Sequence, residues 1–453
     1  MEKLGIEHVG KELRHGVPFV TFTLWLGANL TIADFALGYL FFGLPVSSIL
    51  VAVAIGNLLG GLMVGLMSAM GPVFGYPQMM ISRAVMGKKG NLPFAAANWI
   101  STVGWFTVNI ILGGFALQLA FGLPFYLAAA ILVVADVILA LYGHDIIHLF
   151  EKIMSIVLTL MFAAIVVISY GKFATQLPAY EHLSSVSFNP YFFALVIALA
   201  FSYLMSWSPY ASDYARYLPE NASRAKIVAY ATAGGVIASA WTEVIGFVVY
   251  VGANNPSLSP IQALSSVAGE YSVFAMLTIV LGAIAADALN IYSNSLSALV
   301  VYEKVKRVQA VLLAGVVGFV FALAGSSNFG SFYQNFLLTL DYWITPWIGV
   351  MLAAVFVVGI TSGVESAGSI LPRGILSYVI GLIFSLPFMN LTSYGISYIG
   401  PAASWLQGAD VSYFVAFGVA FVAYISMSRI AFPRMAGGPV QAKGHLSIVA
   451  LSA

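Results

Sequence analysis

Ser206-Trp207-Ser208-Pro209-Tyr210-Ala211-Ser212-Asp213 closes an apolar stretch that begins near residue 190, and Gly27-Ala28-Asn29-Leu30-Thr31 interrupts another that begins near residue 17. Pro209 has no backbone N–H and its ring clashes with the preceding helical turn. Backbone polar groups freed inside a bilayer are tolerated only where they face protein or a wet cavity. One such break reads as a packing kink, because proline and glycine are common in spanning helices. Two breaks, in the first and sixth apolar segments, point to two five-helix halves of inverted topology. That is the plan of a secondary transporter, with its binding site at the breaks.

The rest of the chain agrees with a membrane setting. Of its 453 residues 61% are hydrophobic and 8% charged, with a mean hydropathy of +0.96. A spanning helix needs about 20 apolar residues. Twelve segments meet that length, at approximately 17–43, 46–70, 93–121, 124–143, 147–170, 190–211, 225–252, 272–301, 308–325, 335–360, 374–394 and 411–429. The expected organisation is a polar N-terminal segment (1–16), a first repeat (17–170), a second repeat (190–360), two further helices (374–429) and a tail (430–453). With both termini in the cytoplasm, every Lys and Arg except Lys172 falls on the inner side, as the positive-inside rule requires. Loops 71–92 and 253–271 are long enough to hold short helices. The first 16 residues lack the apolar core of a signal peptide, so insertion is expected to be directed by the first span. The absence of cysteine excludes disulfides, thiolate metal sites and cysteine nucleophiles.

Five carboxylates lie inside apolar stretches: Asp34, Asp136, Glu243, Asp287 and Asp341. A charge at the bilayer centre costs at least about 2.5–3.5 kcal/mol, so such residues mark functional sites by default. Trp105 and Asn109 are four apart and share one helix face. A ring there could stack on a flat solute while the amide supplies a donor and an acceptor. Asp287, Asn290 and Asn294 recur at three and four residues on one face of the eighth segment.

The chain resembles the nucleobase–cation symporter-1 family, nearest the purine–cytosine permeases. The resemblance lies in Ala28-Asn29 through Phe35-Ala36-Leu37-Gly38, Gly104-Trp105-Phe106 with Asn109, and Trp207 through Tyr210-Ala211-Ser212-Asp213-Tyr214. It continues in Asn290-Ile291-Tyr292-Ser293 with Leu296-Ser297, and in Asn335-Phe336-Leu337-Leu338 with Tyr342-Trp343-Ile344 and Pro346. It implies an all-α membrane protein with the leucine-transporter-like five-plus-five inverted repeat, broken helices one and six, and two C-terminal helices. It also implies cation-driven uptake of purines, pyrimidines or related heterocycles. On that resemblance Trp105 is the stacking tryptophan and Asn109 its amide partner. Trp207 looks like the second face of a base sandwich, and Asn290 like a substrate-contacting amide. Ser206 and Ser208 flank Trp207, and Ser206 joins the expected binding set.

Asp34 is a departure, since similar permeases often carry a small hydroxyl residue there. A carboxylate at this point could accept from an amidine-like edge, pair with a cation, or hold a proton. Sodium-coupled relatives place two hydroxyl residues about one turn before the segment-eight amide. Here those positions are Ala285 and Ala286, which offer no oxygen. The expected coupling ion is therefore the proton rather than sodium, held by Asp34 or Asp287. Asp341, beside Tyr342-Trp343, is read as a gate residue, and Asp136 and Glu243 as scaffold outside the site. His144 and His148 are four apart near Asp145 and Glu151 but read as an ordinary solvated helix end, so no metal is expected. The expected partners are a nucleobase-like solute, a coupling cation and the lipid bilayer of the cell membrane; no cofactor or nucleic acid is expected. A hydantoin, allantoin, a vitamin precursor or an amine on the same scaffold is the alternative cargo, with either ion. An intramembrane aspartyl protease would show a Gly-x-Gly-Asp stretch, which is lacking, so no enzyme is expected. A channel fits two occluding tryptophans poorly.

Overall fold

A computed structural model describes residues 4–183 and 186–429. The expected tail, 430–453, and Lys3 lie outside the described residues. Nine helices among those described are long and apolar enough to cross a membrane, and a bent pair makes a tenth span. Two shorter apolar helices, Pro372–Phe388 and Ser412–Ser428, complete the series. These match the twelve sequence segments one for one, and are called spans one to twelve below.

Span one is the bent pair. Val20–Asn29 and Ile32–Gly38 meet at 60°. The sequence builds the bend locally. Asn29 turns its amide back onto the Trp25 carbonyl, at 2.7 Å, and Thr31 is extended and caps the second half by accepting from the Asp34 N–H. A hydroxyl cap of this kind replaces one of the backbone bonds lost at a helix start. Span six (Pro190–Ala215) is interrupted more gently. Its first part ends at Met205, a 3₁₀ turn covers Ser208–Tyr210, and Ala211–Ala215 resumes the helix. Pro209 therefore sits inside the turn, where it costs no α-helical hydrogen bond.

Span five runs His144–Glu181, past its expected end at 170, and Lys172 near that end donates to Ser266. The loop 71–92 holds the short helices Met70–Phe74, Gln78–Ile81 and Arg83–Met86, and the loop 253–271 holds Pro260–Ala268. Residues 5–15 lie across the ends of spans one, two and six. They are held by Val9 N–H on Gly75 O (2.9 Å), His15 N–H on Tyr217 O (2.7 Å) and Arg216 on Gly5 O (2.8 Å).

Two helix contacts position the site. Spans three (Leu92–Phe121) and eight (Ser272–Val301) run antiparallel and are joined by a ladder of side-chain bonds. Asn98 donates to Ser297, Asn294 to Thr102 and to Trp99 O, and Asn109 to Asp287. Such interhelical bonds substitute for the weak hydrophobic drive between helices in lipid. Spans one and seven (Arg224–Ala253) touch backbone to backbone. A Cβ on Gly38 would collide with the Glu243 carbonyl, and one on Gly246 with the Phe35 carbonyl.

Candidate functional site

The residues expected to bind substrate are all buried. The best-defined part of the site is an amide–carboxylate network between spans three, six and eight. Asp287 Oδ1 accepts from Asn109 Nδ2 at 2.9 Å and from Asn290 Nδ2 at 3.2 Å. Asn290 Oδ1 accepts in turn from the Tyr210 hydroxyl at 3.2 Å. The network fixes the orientation of Asn109: its NH₂ is committed to Asp287 and its Oδ1 is left over. Asn109 Oδ1, Asp287 Oδ2 and Trp105 Nε1 are all buried without a hydrogen-bond partner among the described residues. Buried polar atoms are nearly always paired, so three leftovers on adjoining residues make this a candidate contact point for a polar solute.

Trp105 packs edge-on against Tyr203 and Phe336, each at 5.2 Å between ring centroids, and against Tyr333 at 6.2 Å. Trp207 belongs to a different cluster, with Trp25 and Tyr210 each at 5.4 Å. Among the described residues the two tryptophans share no ring neighbour, and any stacking on a base would bring them together across that base. Trp207 braces the two breaks, since its Nε1–H donates to Asn29 Oδ1 at 2.9 Å. Ser206 is also used locally: its hydroxyl donates to the Tyr203 carbonyl one turn back, at 2.6 Å. The Ser208 hydroxyl is the buried one without a partner. Asn294 belongs to the ladder rather than to the Asp287 network.

Four of the five carboxylates fall into two pairs, which sets Asp136 and Glu243, expected as scaffold, beside the two aspartates expected in the site. Glu243, on span seven, faces Asp34 on span one, with Ser239 alongside. Glu243 Oε2 accepts from Asn57 Nδ2 at 2.7 Å. Neither Asp34 oxygen nor Glu243 Oε1 accepts from an N–H or a hydroxyl at bonding distance. Asp136, on span four, is the electrostatic neighbour of Asp287. Helix-face arithmetic cannot reveal such pairs, because their members stand on helices far apart in sequence. Tyr210 could have been found, lying in the quoted stretch three residues after Trp207. Glu151 was read as part of a solvated helix end, yet it is fully buried against Gly27 at the span-one break. Asp341 is buried on span ten and faces Ser202 of span six.

A hydrogen-bonded path links the aromatic cluster to the Asp34 pair. The Tyr203 hydroxyl, whose ring packs on Trp105, is 2.8 Å from Thr31 Oγ1, the group that caps the Asp34 helix. The Tyr333 hydroxyl donates to the Ala33 carbonyl at 2.8 Å.

Broken spans crossing at a set of buried, unpaired polar atoms define a multi-pass secondary transporter, and the comparisons give the family. Residues 8–416 match the family of permeases for cytosine/purines, uracil, thiamine and allantoin, and the chain belongs to it, within the nucleobase–cation symporter-1 group. It is 28% identical to the Bacillus subtilis protein YxlA, over 96% of this chain and 98% of that one. It is 27% identical to the purine-cytosine permease fcyB of Emericella nidulans, over 94% of this chain and 88% of that one. Among solved structures it is similar to Mhp1, a nucleobase-cation-symport-1 family transporter, in a closed conformation with bromovinylhydantoin bound. The TM-score is 0.77 at 18% identity, with 95% of each chain covered. The inward-facing conformation of Mhp1 gives a TM-score of 0.74 at 17% identity, with 94% of each chain covered.

Proposed function

We propose that this permease takes up a nucleobase of the purine or cytosine class by alternating access across the cell membrane, coupled to protons, with both termini in the cytoplasm. The observation that carries the substrate class is the fixed orientation of Asn109. With its NH₂ held by Asp287, the network offers the solute two acceptors, Asn109 Oδ1 and Asp287 Oδ2, beside one donor, Trp105 Nε1. An amino-substituted base edge presents N–H donors to such acceptors and keeps a carbonyl or ring nitrogen for the indole. A flat ring also suits the aromatic wall of Trp105, Tyr203, Tyr333 and Phe336. Residues 17–170 and 190–360 serve as the inverted repeats on this reading, and Asp341 as a gate residue between spans ten and six. The family description also includes thiamine and allantoin, so another heterocycle or a cationic solute at Asp287 is the second reading.

Proton coupling is assigned to Asp34 with Glu243. Two carboxylates facing each other in an apolar interior cannot both stay charged, and one shared proton relieves the repulsion. The groups facing Asp34 are Glu243 and Ser239 on span seven, Tyr203 on span six and Tyr333 on span ten. None is a base stronger than a carboxylate. Asp287 differs in accepting from two amide N–H groups, and on this reading it serves the substrate. Ala285 and Ala286 are buried and offer sodium no oxygen side chain.

The test is thermal unfolding of the purified protein with a panel of nucleobases, joined to uptake in proteoliposomes. Adenine, guanine, hypoxanthine or cytosine should raise the unfolding temperature, because a ligand that binds only the folded state stabilises it. Uptake should follow an inward proton gradient without sodium. Stabilisation by hydantoins, allantoin or thiamine alone would replace the substrate class. Uptake that needs sodium and ignores pH would overturn the coupling.

A further inference from the structure

We infer that His15, His144 and Asp145 form a binding site for a zinc-like divalent cation, which ties the N-terminal segment to the start of span five. The inference is independent of the transport reading. His15 Nε2, His144 Nδ1 and a carboxylate oxygen of Asp145 all lie within 4.8 Å of one another. Asp145 Oδ1 is 3.1 Å from His144 Nδ1 and 3.5 Å from His15 Nε2. A tetrahedral ion with bonds of about 2.0–2.1 Å holds its ligand atoms about 3.3 Å apart. Both distances bracket that edge.

The other ring nitrogens make the case. His144 Nε2 is 3.2 Å from the Tyr214 carbonyl, and His15 Nδ1 is 2.9 Å from the Leu13 carbonyl. A carbonyl only accepts, so each of these nitrogens carries the proton. With those tautomers His144 Nδ1 and His15 Nε2 are the ring nitrogens turned toward Asp145 Oδ1, so three candidate ligand atoms converge. Metal-bound histidines characteristically donate the far N–H to a carbonyl or carboxylate, which sets the tautomer and the ring direction. Both histidines here do so, through carbonyls on two different segments. The His144 ring is also held from the side by Tyr217, at 3.9 Å between centroids.

The sequence reading of a solvated helix end weighed only ligands within 144–151. The third ligand comes from residue 15, brought over by the bond between its own N–H and Tyr217 O. His15 and Asp145 are exposed while His144 is buried, so an ion can enter from water and a water molecule can complete the coordination. Two imidazoles favour zinc over calcium or magnesium, which prefer all-oxygen sites.

The experiment is calorimetric titration of the full-length protein, purified in detergent with a tag free of histidine, using zinc chloride as the probe. Wild type should bind one zinc ion per chain, and His15→Gln or His144→Gln should weaken it at least roughly 10-fold, the scale seen when a metal site loses support. Glu220→Gln, on the same face but paired with Lys11, should keep wild-type affinity. Substituting cobalt(II) should give the intense visible absorption of a four-coordinate ion, again lost in His15→Gln. His15→Gln changes an exposed side chain, and an unaltered metal-free unfolding temperature checks its fold. No zinc binding by wild type, or binding undiminished in His15→Gln, overturns the inference.

Discussion

Asp34 and Asp287 are the same residue type, equally buried, one on each of two adjoining spans; each has a second carboxyl group as its electrostatic neighbour, and they differ in the amide donors that reach them. Asp287 is gripped by two amide N–H donors and has one oxygen left for a partner. Asp34 accepts no amide N–H at either oxygen and faces a second carboxyl group, Glu243. Donors to a carboxylate favour its charged form, and a facing carboxylate disfavours it. The first setting suits an acceptor that recognises N–H groups. The second suits a group that gains and loses a proton as the transporter cycles. Buried charge alone therefore does not identify a coupling residue; what the neighbours can donate decides it.

The comparison breaks most sharply at Asp34. Asp34→Asn removes the shared proton while keeping the shape of the side chain. Accumulation of labelled base above the external concentration should be abolished, while exchange of bound base across the membrane persists. Glu243→Gln should behave the same way. Uptake that stays concentrative in both variants would place the proton elsewhere, with the Asp287–Asp136 pair next in line.

Asp287→Asn should give the complementary phenotype. It replaces an acceptor with an amide whose NH₂ competes with those of Asn109 and Asn290. Losing a hydrogen bond to a charged group costs about 1.5–3 kcal/mol, or roughly 10- to 150-fold in affinity. Base binding, followed by thermal shift or calorimetry, should fall by that factor while the pH dependence of residual uptake is unchanged. A variant that binds normally but has lost its response to pH would exchange the roles of the two aspartates.

Much of this fold was legible in the sequence because it depends on local chemistry. Thr31 capping a new helix and Pro209 opening a turn are events within a few residues, and both breaks follow from them. The shared face of Trp105 and Asn109, and that of Asp287 and Asn290, follow from helical spacing and do meet between spans three and eight. The pairings Asp34 with Glu243 and Asp136 with Asp287 were not legible. They depend on which helices touch and at what height, and for spans one and seven that is set by the close approach at Gly38 and Gly246. The bracing contact of Trp207 was not legible for a related reason. A motif places the ring at the break, but only the position of Asn29 shows where its N–H goes.

The brace between the breaks gives a smaller effect that separates stability from transport. Asn29→Ala deprives the buried Trp207 indole of its acceptor. A buried donor left unpaired costs about 1–3 kcal/mol, so the unfolding temperature should fall measurably in the absence of substrate. The proton dependence of uptake should be retained, because Asn29 touches neither carboxyl pair. An unchanged unfolding temperature would mean that water satisfies the indole and that the two breaks are not mechanically joined.

The smallest expected effect concerns the two serines beside Trp207. Ser206 donates back to its own helix at Tyr203 O, a bond that contributes little because the carbonyl already belongs to the helical ladder. Ser206→Ala should change binding and stability by less than about 1 kcal/mol, the worth of an ordinary hydrogen bond. Ser208 has a buried hydroxyl with no partner among the described residues, so Ser208→Ala removes an unpaired group and should leave the empty protein as stable or more so. If that hydroxyl serves the base, the same variant loses affinity while gaining stability, a split that packing alone does not produce. Loss of affinity in Ser206→Ala with none in Ser208→Ala would instead turn the span-six turn by one residue toward the site, and would support Ser206 in the expected binding set.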